Sequence, residues 1–161
     1  MTTNASHPHT KRNQAIYTPI KVIDCVLGVW AGIIDYDPFP GDLAPITDLA
    51  LACAKDGFED TWRPYAFANP PFDRLKEAMS RAAHFGHTCR QETMLLSPTR
   101  SHREWWWSCR DSASVVAHLK PLAFHGHKST FPFPLTVMYW GELPSAFQRA
   151  FEPISYKIEV L

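Results

Sequence analysis

The residues best suited to chemistry in this chain stand together as Asn69-Pro70-Pro71-Phe72. Asparagine offers a side-chain carbonyl oxygen as acceptor and takes up no proton itself. Pro70 adds a main-chain carbonyl, and Phe72 adds a flat apolar face. Two acceptors beside an aromatic plane suit a planar ring that carries an amino group. The oxygens accept the two amino hydrogens while the ring stacks on the phenylalanine. A plainer reading of the same tetrapeptide is a strand-ending turn with a packed phenylalanine. Two other stretches carry polar residues in similar settings, Ile33-Ile34-Asp35-Tyr36-Asp37-Pro38 and Leu95-Leu96-Ser97-Pro98-Thr99-Arg100.

Each of these sites needs an element to position it. Tyr65 to Ala68 is an apolar run, so 63–69 reads as a buried strand that Pro70 and Pro71 terminate, because proline cannot donate to a ladder. Ile33 to Asp37 reads as a strand ended by Pro38, and 93–96 as a third. Thr18-Pro19 opens a helix, with Thr18 as N-cap and Pro19 in the first turn. Val22, Ile23, Val26, Leu27 and Trp30 give it one apolar face, and Gly32 ends it. Further helices are expected over 46–55, stopped by Gly57, and over 73–85, capped by Gly86. Ser101-His102-Arg103-Glu104 fits a capping box, so a short helix carries Trp105, Trp106 and Trp107. Strands follow at 114–117 and 135–140, then a helix at 146–151 and a half-buried edge strand at 155–160.

Strand and helix thus alternate before strands cluster at the end, which predicts an α/β fold with an open, mostly parallel sheet and a late antiparallel strand. In such sheets ligands bind beyond the carboxyl ends of the strands. Asp37, Asn69 and Ser97 all fall at such ends. Residues 1–15 are polar and aperiodic and read as a flexible arm, leaving 16–161 as one domain.

Composition narrows the field. The chain has 161 residues, 45% hydrophobic and 20% charged, with 16 basic and 16 acidic side chains. A net charge of zero argues against bulk electrostatic binding of nucleic acid while leaving room for a local basic groove. No apolar run approaches the roughly 20 residues of a membrane span. Cys25, Cys53, Cys89 and Cys109 are scattered without a Cys-x-x-Cys pair, so reduced cysteines are expected. His84, His87 and Cys89, like His125 and His127, are metal-ligand types without zinc spacing, so no metal is expected. The Gly-x-Ser-x-Gly turn of a serine hydrolase is absent.

Taken in order, the segments resemble the phage-type DNA N6-adenine methyltransferase family, within the class I S-adenosylmethionine-dependent methyltransferases. The likeness covers residues 17–141. It comprises Tyr17-Thr18-Pro19, the Asp35 to Pro38 strand end, Asp56-Gly57 with Trp62, and the Phe67 to Phe72 segment. Ser97-Pro98-Thr99-Arg100 with Trp105, then Phe131-Pro132-Phe133-Pro134, complete it. With 14 prolines in the chain, this ordered series carries more weight than the tetrapeptide alone. The sequence departs from the family at the cofactor loop, where Leu43 stands in place of a second glycine.

The resemblance implies a compact Rossmann-like sheet, reduced in strand number, with no separate target-recognition domain. It implies S-adenosyl-L-methionine as cofactor, double-stranded DNA as partner, and the cytoplasm of a bacterial host as location. Asn69, Pro70, Pro71 and Phe72 would act on the acceptor. Tyr17, Thr18, Pro19, Asp35, Asp37, Pro38 and Asn69 would hold the cofactor, with Asp37 meeting its amino group and Asp35 turned to the other face. Arg100, Arg103, Trp105, His127 and Lys128 would meet DNA, and Phe72 would stack on the base flipped out of the duplex. Other amino acceptors (cytosine N4, RNA, a protein amide) suit the same tetrapeptide. An inactive module of this fold that binds DNA or a partner protein is the competing expectation. Read without the resemblance, Thr18-Pro19 is simply a good helix start, Asp37 a turn-forming acid, and the basic residues solvated charge.

Overall fold

The computed structural model describes residues 18–40, 49–123 and 130–161. The expected arm, Tyr17, the Leu43 loop, and the 125–128 basic run with His127 and Lys128 lie outside the described residues. Helix α1 spans Ile20–Val29 and buries Val22, Ile23, Val26 and Val29. It begins one residue later than the sequence predicts: Pro19 is the N-cap, and its carbonyl accepts the N–H groups of Val22 and Ile23 at 2.9 and 3.2 Å. Thr18 supplies no cap. Gly32, in the left-handed region at φ 86°, turns the chain into strand β1, Ile34–Asp37.

Of the helix expected at 46–55, residues 46–48 lie outside the described residues, and strand β2, Ala50–Cys53, corrects the expectation over 50–53. It runs parallel to β1, pairing Ile34 with Ala50 and Asp37 with Cys53. Ala50 and Ala52 are half-buried, while Leu51 is 76% exposed and Cys53 is exposed. The period is therefore two. Alanine and leucine favour helix intrinsically, and pairing with β1 overrides that weak preference.

Strand β3, Ala66–Ala68, is shorter than the run suggests. Tyr65 sits at φ 58°, and its carbonyl accepts both Asp35 N–H and Tyr36 N–H, so regular pairing begins only after it. Phe72–Arg74 forms a single 3-10 turn that leads into helix α2, Leu75–Ala83, and a π-helical turn follows at His84–Thr88. Gly86 lies inside that π turn and is not a C-cap. A Cβ there would fall 2.5 Å from Trp140 Cβ, so glycine answers a need for closeness rather than for positive φ.

Strand β4, Thr93–Pro98, precedes helix α3, Glu104–Ser112. The expected capping box is not formed. Arg103 is the N-cap, without a side-chain cap bond, and the Ser101 carbonyl accepts Trp107 Nε1–H at 2.8 Å. Strands β5 (Val115–Leu119) and β6 (Leu135–Trp140), helix α4 (Pro144–Phe151) and strand β7 (Ser155–Val160) complete the order.

These strands form one sheet of seven in the order β2-β1-β3-β4-β6-β5-β7. The first four are parallel. β6 runs antiparallel between β4 and β5, and β7 is antiparallel to β5. Half the pairings are antiparallel, so the sheet is mixed rather than mostly parallel, and its seven strands correct the expected reduction in strand number. Alternate side chains feed two cores. Phe67, Met94, Val137 and Tyr139 pack with Phe147 and Phe151 under α1 and α4. Ala66, Ala68, Leu95 and Met138 pack with Trp106 and Met79 under α2 and α3. Each fully buried large side chain of this kind contributes roughly 1.5–3 kcal/mol.

Glu92 ties down the amino end of the sheet. Its carboxylate accepts Trp30 Nε1–H at 3.0 Å, the Tyr139 hydroxyl at 2.6 Å and Glu142 N–H at 2.8 Å. Burial, then that hydrogen bond to the carboxylate, raises the Tyr139 pKa well above its ordinary value. Among the described residues no helix is long and apolar enough to cross a membrane.

Candidate active site

β1, β3 and β4 are parallel neighbours, so their carboxyl ends share one edge. Asp37 closes β1, Asn69 follows β3, and Ser97 is the penultimate residue of β4. All three are buried.

Alternation along β3 sets the direction of Asn69. Ala66 and Ala68 face α2 and α3, while Phe67 faces α1, and Asn69 follows on the same side as Phe67. There its Nδ2 donates to Thr18 Oγ1 at 2.7 Å, and Thr18 is itself fully buried. The residue expected to cap a helix therefore anchors the asparagine amide. Pro70 is buried beside it. Pro71 is the N-cap of the following turn, its carbonyl accepting Arg74 N–H at 3.2 Å.

Asp37 is held by its own turn. Its Oδ1 accepts Phe39 N–H at 2.9 Å, an Asx turn, and its carbonyl accepts Ala54 N–H at 2.9 Å. Gly57 closes over the next residue, where any Cβ would run into the Pro38 carbonyl. The Gly57 carbonyl in turn accepts Trp62 Nε1–H at 2.8 Å and Arg81 Nε–H at 2.9 Å, and Arg81 also donates to the Asp60 carbonyl. The Asp37-Pro38 corner thus has rigid backing. Asp35 is half-buried and joins the sheet through its N–H.

Phe72 is half-buried, and its ring meets Phe133 edge to face with centroids 5.6 Å apart. Phe131 continues the aromatic row at 5.8 Å from Phe133. Thr99 joins this row to the β4 end, its N–H donating to the Pro134 carbonyl at 2.9 Å and its hydroxyl meeting the Thr136 hydroxyl at 2.6 Å. A cleft of about 420 Å³ opens on the same edge between Phe131 and Phe133 on one side and His118, Lys120 and Tyr156 on the other.

No family model matches this chain, and neither a curated protein nor a solved structure matches it.

Of the residues expected at the site, the structure brings Thr18 and Asn69 into contact and sets Asp37 on the adjoining strand. Arg100 is half-buried and Arg103 exposed in the loop leaving β4. Trp105 packs against the core under α2 and α3, and the exposed tryptophan of the triplet is Trp107, which stacks with Arg110. Three contributors went unread in the sequence. They are the Thr18 hydroxyl as partner of Asn69, Phe133 as partner of Phe72, and Arg81 as the brace behind Gly57. All three join residues far apart in the chain, and no local pattern marks such pairs.

Cys25, Cys53 and Cys109 give no poised nucleophile. Burial pushes the Cys25 thiol up to about 11, aided by Asp24, and the Cys109 thiol up to about 12. Cys53, paired opposite Asp37, is also raised, first by burial and then by that carboxylate. A thiol so shifted is protonated at neutral pH. Among the described residues no group of three or more His, Cys, Asp or Glu side chains could hold a metal ion. The edge therefore offers anchored acceptors, a fixed carboxylate and an aromatic wall. Such a set orients a ligand and stabilises developing charge.

Proposed function

We propose that this chain transfers a methyl group from S-adenosyl-L-methionine to an exocyclic amino nitrogen, adenine N6 in double-stranded DNA being the first candidate. The observation that carries the reading is the buried Asn69 amide, fixed by Thr18 at a strand end between the Asp37 corner and the Phe72–Phe133 pair. The sulfonium group of S-adenosyl-L-methionine supplies the electrophilic methyl. The residues fit that group. The Asp37 carboxylate, oriented by Phe39 N–H, supplies a fixed anion for the methionine ammonium, and the β1 corner is braced by Gly57 and Arg81. Thr18 and Pro19 border the same edge.

An amino group on an aromatic ring is a weak nucleophile because its lone pair is delocalised. Asn69 Oδ1 and the Pro70 carbonyl would accept its two hydrogens and favour a pyramidal nitrogen whose lone pair faces the methyl. With the cofactor bound, its methyl carbon would bond to this nitrogen and the carbon–sulfur electron pair would stay on sulfur. Asparagine cannot hold the proton, so the amino proton leaves to water. Phe72 would stack on the flipped base, and Arg100, Arg103 and Lys120 would offer cationic contacts to phosphates on the same edge. The parallel half of the sheet and the late antiparallel β6 are in keeping with a class I methyltransferase sheet.

Calorimetry with S-adenosyl-L-methionine, followed by transfer of labelled methyl to unmethylated duplex, tests the reading. Asn69→Ala is expected to keep the fold and lose transfer by about 10²–10³-fold, as loss of one preorganised polar contact does elsewhere. Undiminished transfer by Asn69→Ala would overturn the site. Absence of cofactor binding at millimolar concentration would overturn the enzyme reading and leave a binding module of this fold.

A further inference from the structure

β7 ends the sheet, and among the described residues no strand pairs with its outer edge. Strand edges in monomers are commonly blunted by proline, and Ser155–Val160 contains none. Tyr156 is 73% exposed and Val160 58% exposed. Leu161 N–H donates inward to the Ser114 carbonyl at 3.0 Å. Hydrogen-bonding direction alternates along a strand, so Val160 and Ile158 turn their N–H and C=O groups outward. A groove of about 420 Å³ follows this edge beneath α4, lined by Gln148, Arg149, Glu152, Tyr156, Lys157 and Ile158.

We propose that this groove receives β7 of a second copy of the chain, antiparallel about a two-fold axis through Ile158, giving one sheet continuous across two molecules. The argument is the self-match of the strand. With Ile158 opposite Ile158, Lys157 stands across from the partner's Glu159 and Glu159 across from the partner's Lys157. Tyr156 stands across from the partner's Val160. Opposite charges and an aromatic beside a β-branched residue are the favoured cross-strand pairs. Shifting the axis by one residue sets Lys157 against Lys157, or Glu159 against Glu159. Only the Ile158 register satisfies every pair.

Within one copy the Glu159 carboxylate already has close partners. Its Oε2 is held at 2.8 Å by Arg110 and by His118, and Oε1 lies 2.9 Å from Lys157. An unrelated strand would have to carry the same spacing of charges by coincidence, which is why the occupant is a second copy. Two paired strands with flanking helices make a small interface, so the association is expected to be reversible and concentration-dependent. It involves the half of the sheet remote from β1 and β3, and it stands or falls independently of the proposed reaction.

Sedimentation of the full chain over a wide concentration range tests mass, and cross-linking tests register. The wild-type mass is expected to double as concentration rises, and Lys157→Glu, on an exposed side chain, is expected to stay monomeric. In a Cys53→Ser, Cys89→Ser background, Ile158→Cys would set two Cα atoms about 5.5 Å apart across the axis, within disulfide reach. It is expected to form a covalent dimer on oxidation, whereas Tyr156→Cys is not. A monomer at every concentration overturns the proposal. So does a dimer that Lys157→Glu leaves intact, or one that Ile158→Cys fails to cross-link while Tyr156→Cys succeeds.

Discussion

The Thr18–Asn69 hydrogen bond can be removed with little change of shape by Thr18→Val, which exchanges the hydroxyl for a methyl. Both residues are buried and the bond is 2.7 Å long, so water cannot readily replace the lost acceptor. Depriving a buried donor of its acceptor costs about 1–3 kcal/mol. For a chain of this size each kcal/mol lowers the melting temperature by roughly 2–4 °C. Asn69→Ala removes the donor from the other side, and the double variant should cost less than the sum, with a coupling of about 0.5–3 kcal/mol. The same bond orients the Asn69 amide toward the proposed acceptor. Its loss is expected to slow methyl transfer in a single turnover by about ten- to a hundredfold, since a misplacement on the order of 1 Å carries such a penalty. Urea unfolding reports the first quantity and labelled-methyl transfer the second. A Thr18→Val protein with the wild-type urea midpoint would refute the buried bond. Lower stability with unchanged transfer would refute its role in orienting the amide.

Other expectations concern the frame around the site. Glu159→Gln loses the charge that Arg110, His118 and Lys157 share, and should destabilise by ~1 kcal/mol at neutral pH. The His118 hydrogen bond first, then those of Arg110 and Lys157, hold the Glu159 carboxyl down from about 4.5 to about 2. A depressed carboxyl stabilises fully above the unfolded pKa, so the gap between wild type and variant should shrink as pH falls from 4.5 toward 2. Urea midpoints over that range would show a constant gap if the ion pairs were immaterial. Gly86→Ala would drive a methyl into Trp140 and should cost about 1–3 kcal/mol, read as a fall in melting temperature. An unchanged melting temperature would mean that the two are not packed so closely.

The site edge was legible because proline punctuates it. Pro38 follows β1, Pro70 follows β3 and Pro98 closes β4, and each proline stands next to one of the buried polar residues of that edge. α1 and β7 were legible from the spacing of their apolar residues, and β6 from its nearly continuous apolar run. β2 was not, since Ala50-Leu51-Ala52-Cys53 is too short to separate a period of two from a period near four. Ser101-x-x-Glu104 has the pattern of a capping box, yet Arg103 takes the cap position and the box stays open. Thr18 shows how a local rule can name the right residue for the wrong reason. Its hydroxyl belongs to a partner 51 residues away. Gly86 repeats the lesson, serving Trp140 on a distant strand rather than the helix it follows.

The packing of α1 has a consequence for the order in which the site comes into being. Cys25 Sγ donates to the Ala150 carbonyl at 3.0 Å across 125 residues of sequence, and a Cβ added at Gly28 would lie 3.8 Å from the Ala150 Cβ. Helix α1 therefore docks on Pro144–Phe151, and Thr18 takes its position from that docking. On the ribosome, Thr18 and Asn69 emerge well before the helix that seats one against the other. A nascent chain stalled ahead of Pro144 would carry the tetrapeptide, its strand and Thr18, yet without the helix that seats the hydroxyl on the asparagine. The earliest part of the site to be translated is the last to be set.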